Sequence, residues 1–192
     1  MSYESHKIAV YSGSFNPLHI GHLAIIRYMI KEAGFDMVHL IVSPKNPLKD
    51  GISSASGPER YHAAVEAVRR HPELYGKVKV DDIELNMPEP HYSIRTLDAL
   101  REREPSNCFT LIMGADNLAD IRRWRDYSRI LKEYGTSVYP RKGFDLPEIK
   151  QDLLIEDPAY KISIMDAPTV DISSTYIREA MSRGEDISSL LM

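Results

Sequence analysis

Short, nearly continuous apolar runs alternate along the chain with stretches of helical periodicity. The runs KIAVYSG (7–13), DMVHLIVSP (36–44), KVKVDDIEL (77–85), CFTLIMG (108–114), TSVYPRKG (136–143) and YKISIMDAP (160–168) read as strands. After the first, Leu23, Ile26, Ile30 and Ala33 recur at three- and four-residue steps, and Gly34 is a plausible stop. PERYHAAVEAVRRHP opens a helix on Pro58 and ends it before Pro72, and SIRTLDALRER is a helix with Ser93 as candidate N-cap. ADNLADIRRW and YSRILKEYG follow as helices, and SSTYIREAMSRG forms another that stops at Gly184. PKNPLKDGISSASG (44–57), rich in Pro, Gly, Ser and Lys, reads as a loop. This alternation predicts an α/β fold: a doubly wound parallel sheet with helices on both faces, whose ligands lie beyond the carboxyl ends of the strands.

At 192 residues, one domain spanning 1–192 is the expectation. Hydrophobic residues at 43% and charged ones at 27% suit a globular chain with a sizeable core. A net charge of −4 argues against general nucleic-acid binding but leaves room for a local basic pocket. The single cysteine, Cys108, excludes an intramolecular disulfide, and its place in CFTLIM predicts a buried thiol. The polar start MSYESHK lacks the apolar core of a secretion signal, and no apolar stretch approaches the ~20 residues of a membrane span, so a cytoplasmic location and no membrane partner are expected. A homo-oligomer stays open.

The densest chemistry lies where the first strand turns into the first helix. Ser12-Gly13-Ser14-Phe15-Asn16-Pro17 allows close backbone approach, and amides in such a turn can point at an anion. A helix starting near Ile20 or Gly21 adds partial positive charge there. His19 and His22, three apart, can share one face of its first turn, and Gly21 between them leaves room for a bulky group. The set suits a polyphosphate. Metal binding by His-x-x-His is the competing reading, but no third ligand stands at a motif-like distance, so no metal site is assigned. Packing is the other alternative.

With these residues in view, GSFNPLHIGHL closely resembles the signature of the nucleotidyltransferases that carry a His-x-Gly-His motif. Further segments resemble nicotinate mononucleotide adenylyltransferase: SPKNPLK its Pro-x-x-Pro loop ending in lysine, HYSIRTLDAL its Ser-Tyr-Thr-x-Asp-Thr-Leu helix start, LIMGADNL its Gly-Ala-Asp strand end with Trp124 at the expected distance, and ISSTYIREAM its Ile-Ser-Ser-Thr-x-Ile-Arg segment. The likeness runs from Ile8 to about Gly184, and five such motifs occur in order. Departures are Ser-Gly-Ser-Phe-Asn-Pro for the commoner Gly-Gly-Ser-Phe-Asp-Pro, Pro-Leu-Lys for Pro-Pro-His-Lys, and Arg95 where the family usually has Asp.

The resemblance implies a Rossmann-like, three-layer α/β/α nucleotidyltransferase fold. It also implies attack by the 5′-phosphate of nicotinate mononucleotide on the α-phosphorus of ATP, with Mg²⁺ carried on the ATP phosphates. Because the attacking oxygen is already an anion, the protein's task is to align two polyanions and spread the transition-state charge. The carry-over assigns catalysis to His19, His22, Lys49 and Arg178. ATP binding falls to Gly13, Ser14, Phe15, Gly114, Asp116 and to Ile172, Ser173 and Ser174 of a last helical motif at about 172–184. The pyridine nucleotide falls to Thr96 and Trp124. For Asp116, helix capping stays open beside sugar contact, and one of Ser173 and Ser174 is expected to cap its helix. The rivals are another adenylyltransferase of this fold (phosphopantetheine or flavin type), a non-catalytic nucleotide-binding module, and a metal-dependent hydrolase.

Overall fold

The computed structural model describes residues 5–44, 55–168 and 172–192. Six strands, β1 (Lys7–Gly13), β2 (Met37–Val42), β3 (Val78–Asp81), β4 (Cys108–Gly114), β5 (Thr136–Tyr139) and β6 (Ile162–Ile164), form one sheet in the order 3-2-1-4-5-6, every neighbouring pair parallel. The helices are α1 (Ile20–Lys31), α2 (Gly57–Arg69), α3 (Ser93–Arg103), α4 (Ala115–Ala119), α5 (Tyr127–Arg129, continued by a π turn over Ile130–Tyr134), α6 (Leu146–Glu156) and α7 (Ser174–Ser182).

Side-chain alternation along the strands feeds two cores. Ala9 and Tyr11 of β1 and Val38, Leu40 and Val42 of β2 pack with Ile26 and Met29 of α1 and Ala64 of α2. On the opposite face Ile8, Val10, Leu111 and Met113 pack with Leu97 and Leu100 of α3, Ile130, Leu131 and Leu153. Strands buried on both faces read as continuous apolar runs, which is what the chain shows. Ile26 and Met29 have no exposed surface, so truncating either to Ala is expected to cost about 2–5 kcal/mol. The three-layer α/β/α arrangement of the sequence reading is therefore present. Its strand order reverses between β1 and β4, whose last paired residues are Tyr11 and Ile112.

Local expectations needed correction. KVKVDDIEL is strand only through Asp81, because the Asp81 carboxylate accepts the Ile83 N–H (3.0 Å) and turns the chain into a 3₁₀ turn, Ile83–Asn86. Tyr92 (φ −85°, ψ 138°), not Ser93, is the N-cap of α3, and Ser93 is its first helical residue. ADNLADIRRW breaks after Ala119 into a 3₁₀ turn, Ile121–Arg123. The helix α6 was not anticipated, although Asp145 caps it by accepting the Glu148 N–H (3.1 Å), with Pro147 in the first turn. Cys108 is exposed rather than buried: it is the first residue of β4, at the rim of the amino ends, near Ser5 Oγ (3.7 Å). Among the described residues no helix is long and apolar enough to cross a membrane.

Candidate active site

The turn after β1 is shaped by a folded-back ring. Phe15 has φ +44°, a region that a residue with a side chain enters only at a cost of about 1–3 kcal/mol. Burial of its ring offsets that cost: Phe15 is 4% exposed and meets Tyr11 edge-on at 5.4 Å and His22 at 5.3 Å. Gly13 makes room for the ring, since a Cβ there would stand 3.0 Å from Phe15 Cε1. Beneath the turn, the buried Arg60 of α2 donates to the carbonyls of Ser14 (2.6 Å), Ser43 (2.8 Å) and Pro44 (2.9 Å), gathering two loops onto one guanidinium.

His19 is the N-cap residue of α1, and His22 lies one turn in. Their rings sit 3.7 Å apart, centre to centre. His22 Nδ1 accepts the His19 backbone N–H (3.2 Å), which places the proton of the neutral ring on Nε2 and makes that nitrogen a donor. Burial, and then the nearby Arg141 charge, pull His19 down to about 4. Burial, His19 and Arg141 hold His22 well below the ordinary imidazole range. Both rings are therefore neutral near pH 7, because burial and the Arg141 cation both disfavour their protonation.

Across the switch point, Gly114 N-caps α4, and a Cβ on it would fall 2.4 Å from Asp116 Oδ1. That oxygen faces Arg141 Nε at 3.5 Å, and the Arg141 guanidinium stacks on the Tyr139 ring, 5.3 Å from its centre. Arg141 is a functional candidate that the sequence reading missed. The available signal was its position just past the apolar run of β5, at the rim that carries the ligand end of the sheet.

The far end of the chain returns to the same turn. Ser173 caps α7 by accepting the Tyr176 N–H (3.1 Å). Ser174 Oγ donates to the Pro17 carbonyl (3.2 Å), and Arg178 donates to the Asn16 carbonyl (2.8 Å) and to Thr175 Oγ1 (3.1 Å). The Ile172 carbonyl lies over Gly21, 3.7 Å from where its Cβ would be. His19, His22, Gly13, Ser14, Phe15, Ile172, Ser173, Ser174 and Arg178 are thus brought together, with Gly114 and Asp116 beside them. Lys49 lies outside the described residues.

Trp124 and Thr96 belong to the α3 side of the sheet. Trp124 packs half-buried on that core and lines an open cleft of about 620 Å³ with Tyr92, Arg123, Arg125 and Tyr127. Its indole N–H has no partner among the described residues. Thr96 is 2% exposed and its hydroxyl donates to Glu84 (2.8 Å), which also receives Ser12 Oγ (3.3 Å). Thr96 therefore lies beneath the rim rather than on it, and Glu84, also missed, ties it to β1. Among the described residues no group of three or more His, Cys, Asp or Glu is placed to hold a metal ion.

A 3-2-1-4-5-6 parallel sheet with a Gly-Ser turn and paired imidazoles at its switch point defines a doubly wound α/β protein, and residues 10–180 match the cytidylyltransferase-like family. Sequence relatives narrow this. A protein of Flavobacterium johnsoniae is 40% identical over 96% of this chain and 91% of its own length, and one of Bacteroides thetaiotaomicron is 37% identical over 96% and 86%. Both are named probable nicotinate-nucleotide adenylyltransferase. The chain belongs to this adenylyltransferase family within the cytidylyltransferase-like group, as its motifs led us to expect. In fold it is similar to the Plasmodium falciparum nicotinic acid mononucleotide adenylyltransferase solved with NaAD (TM-score 0.78, 20% identity, 95% of this chain and 87% of that one). It is likewise similar to the form solved with APC (TM-score 0.75, 17% identity, 97% and 90%).

Proposed function

We propose that the chain joins ATP and nicotinate mononucleotide to give nicotinate adenine dinucleotide and pyrophosphate, a step of NAD biosynthesis carried out in the cytoplasm. The observation that carries this reading is the neutral His19–His22 pair at the start of α1, facing the Arg141 charge across the switch point. The acceptor's 5′-phosphate oxygen attacks the α-phosphorus in line. The bond from that phosphorus to the oxygen bridging to the β-phosphate breaks, and pyrophosphate leaves with the electron pair. No covalent enzyme intermediate is formed.

His22 Nε2–H donates to the α-phosphate, where charge grows in the transition state, and His19 serves the neighbouring phosphate oxygens. The turn amides of Gly13, Ser14 and Phe15, the start of α7 at Ile172–Ser174, and Arg178, Lys49 and Arg141 hold the polyphosphate. Gly114 and Asp116 receive the adenosine. Trp124 stacks on the pyridine ring, and Thr96 supports that pocket from below through Glu84. Magnesium enters on the ATP phosphates as part of the substrate. Loss of the well-aimed His22 donor is expected to lower kcat about 10²–10³-fold.

The test is a chromatographic assay with ATP and Mg²⁺ that offers nicotinate mononucleotide, nicotinamide mononucleotide and phosphopantetheine separately. Dinucleotide and pyrophosphate formed fastest from the acid support the reading. Equal rates with the amide keep the enzyme class and discard the preference for the acid. ATP binding without pyrophosphate release would turn the chain into a binding module.

A further inference from the structure

The four residues that lead into α1, Asn16 to His19, pair with no strand of the sheet, yet each is held by the segment 172–192. The Asn16 carbonyl receives Arg178, the Pro17 carbonyl receives Ser174 Oγ, and the Leu18 carbonyl receives the Met192 N–H (3.4 Å). His19 forms an antiparallel bridge with Leu191. The hold is anchored on both sides. Met192 is 5% exposed and belongs to the core beneath α1, with Phe15, Leu18 and Leu23. Ile177 and Ala180 of α7 bury Ile187, with Ile172, Leu190 and Leu191 packed around them, in a small core of their own. Backbone carbonyls with no ladder partner need donors from elsewhere, and here those donors come from residues more than 150 positions away.

We infer that residues 187–192 are a positioning element for the proposed phosphate-facing histidines: with α7 they clamp the Asn16–His19 backbone and so fix where His19 and His22 stand. The inference rests on the adenylyl-transfer reading above. Leu191 and Met192 touch no substrate in this scheme. They act through His19, whose backbone N–H in turn holds Nδ1 of His22. A slack clamp misplaces the imidazoles without removing them. Displacements of about 1 Å at a reacting centre cost on the order of 10²-fold in rate, so partial slack is expected to cost ten- to a hundred-fold.

The experiment is Met192→Pro, which removes the donated N–H but keeps an apolar side chain. Leu191, at φ −80° and ψ 153°, already has the backbone that a residue before proline prefers. Three quantities are read beside the wild type and Met192→Leu: kcat, the KM of each substrate, and the NMR titration of His19. The clamp predicts that kcat falls at least about tenfold in the proline variant while both KM values stay within about twofold. It also predicts that the His19 midpoint climbs from about 4 toward the ordinary 6.5 as water reaches the ring, with Met192→Leu close to wild type.

A folded Met192→Pro with wild-type kcat and an unmoved His19 midpoint overturns the inference. So does a loss of thermal stability with neither change. If the proline variant does not fold, Met192→Ala, which empties the apolar seat and keeps the donor, is read by the same criteria. Undiminished kcat in His22→Ala would sink the underlying active-site reading instead. The His19 titration in Met192→Pro would still judge the clamp.

Discussion

Two buried histidine sites lie on opposite faces of the sheet, and their neighbours differ in sign. His39 of β2, 1% exposed, sits between Asp81 Oδ2 (3.7 Å) and Glu104 Oε2 (3.8 Å). Arg103 pairs with Asp81, and Lys79 reaches both carboxylates. Burial, with Lys79 and Arg103, pulls His39 down, and Glu104 and Asp81 offset this only in part, so the imidazole stays below its ordinary range. Burial likewise works against the Asp81 carboxylate, but Arg103 holds it below its usual range. This cluster answers its own charges. At His19 and His22, burial acts together with Arg141, so every cause pushes the same way. A site whose charges cancel needs nothing further and reads as structure. At the second site burial and a nearby guanidinium, itself faced by Asp116 at 3.5 Å, both disfavour protonation, and the two imidazoles stay neutral donors, the setting that the proposed phosphate contact needs.

That contrast can be broken most sharply by His22→Ala. We expect kcat to fall about 10²–10³-fold with little change in melting temperature, measured by pyrophosphate release and calorimetry. Next comes acid sensitivity. The folded midpoint of His19, about 4, lies below the 6.5 of an unfolded imidazole, so the unfolded chain takes the proton first. Stability is then lost as pH falls from 6.5 to 4, by an amount on the order of 3 kcal/mol. Urea titrations at both pH values in wild type and His19→Gln check this, the variant being the flatter. If both lose equally, the acid sensitivity belongs elsewhere.

Third, Asp81→Asn removes the buried carboxylate that pairs with Arg103, leaving the guanidinium with Glu104, and is expected to cost about 2 kcal/mol of stability while kcat at 25 °C stays within about twofold. A large kcat loss without destabilisation would erase the distinction between the two histidine sites. Smallest is Cys108→Ser: at an exposed strand start it should stay within about 0.5 kcal/mol, where a buried thiol would have cost more.

The legible part of the fold was the part written in continuous apolar runs. Strands buried on both faces need Val, Ile, Leu and Met at consecutive positions, so β1, β2 and β4 stood out, and the turn chemistry after β1 marked the ligand end. The illegible parts depended on partners distant in sequence. β3 stops early because one side chain, Asp81, captures a nearby amide. Within α6 only Leu146 and Leu153 are buried, so its apolar stripe is faint and its cap was the better signal. Cys108 sits in an apolar run but at its first position, where the strand has not yet entered the core. In the candidate site, motif residues were readable one at a time. Arg141, Glu84 and Met192 carry no motif, and their place beside the histidines and their supports exists only once β5, the Ile83–Asn86 turn and residues 187–192 have assembled.

The β1–β4 seam joins residues about a hundred positions apart, and the bridge from His19 to Leu191 spans more than 170. A ribosome therefore delivers the histidine turn early and its holders more than 150 residues later. A nascent chain released at any point before residue 172 carries both histidines, the Gly-Ser turn and most of both cores, but not the side chains and amides that grip Asn16 to His19. By this geometry, the site matures only after residues 172–192 have been made.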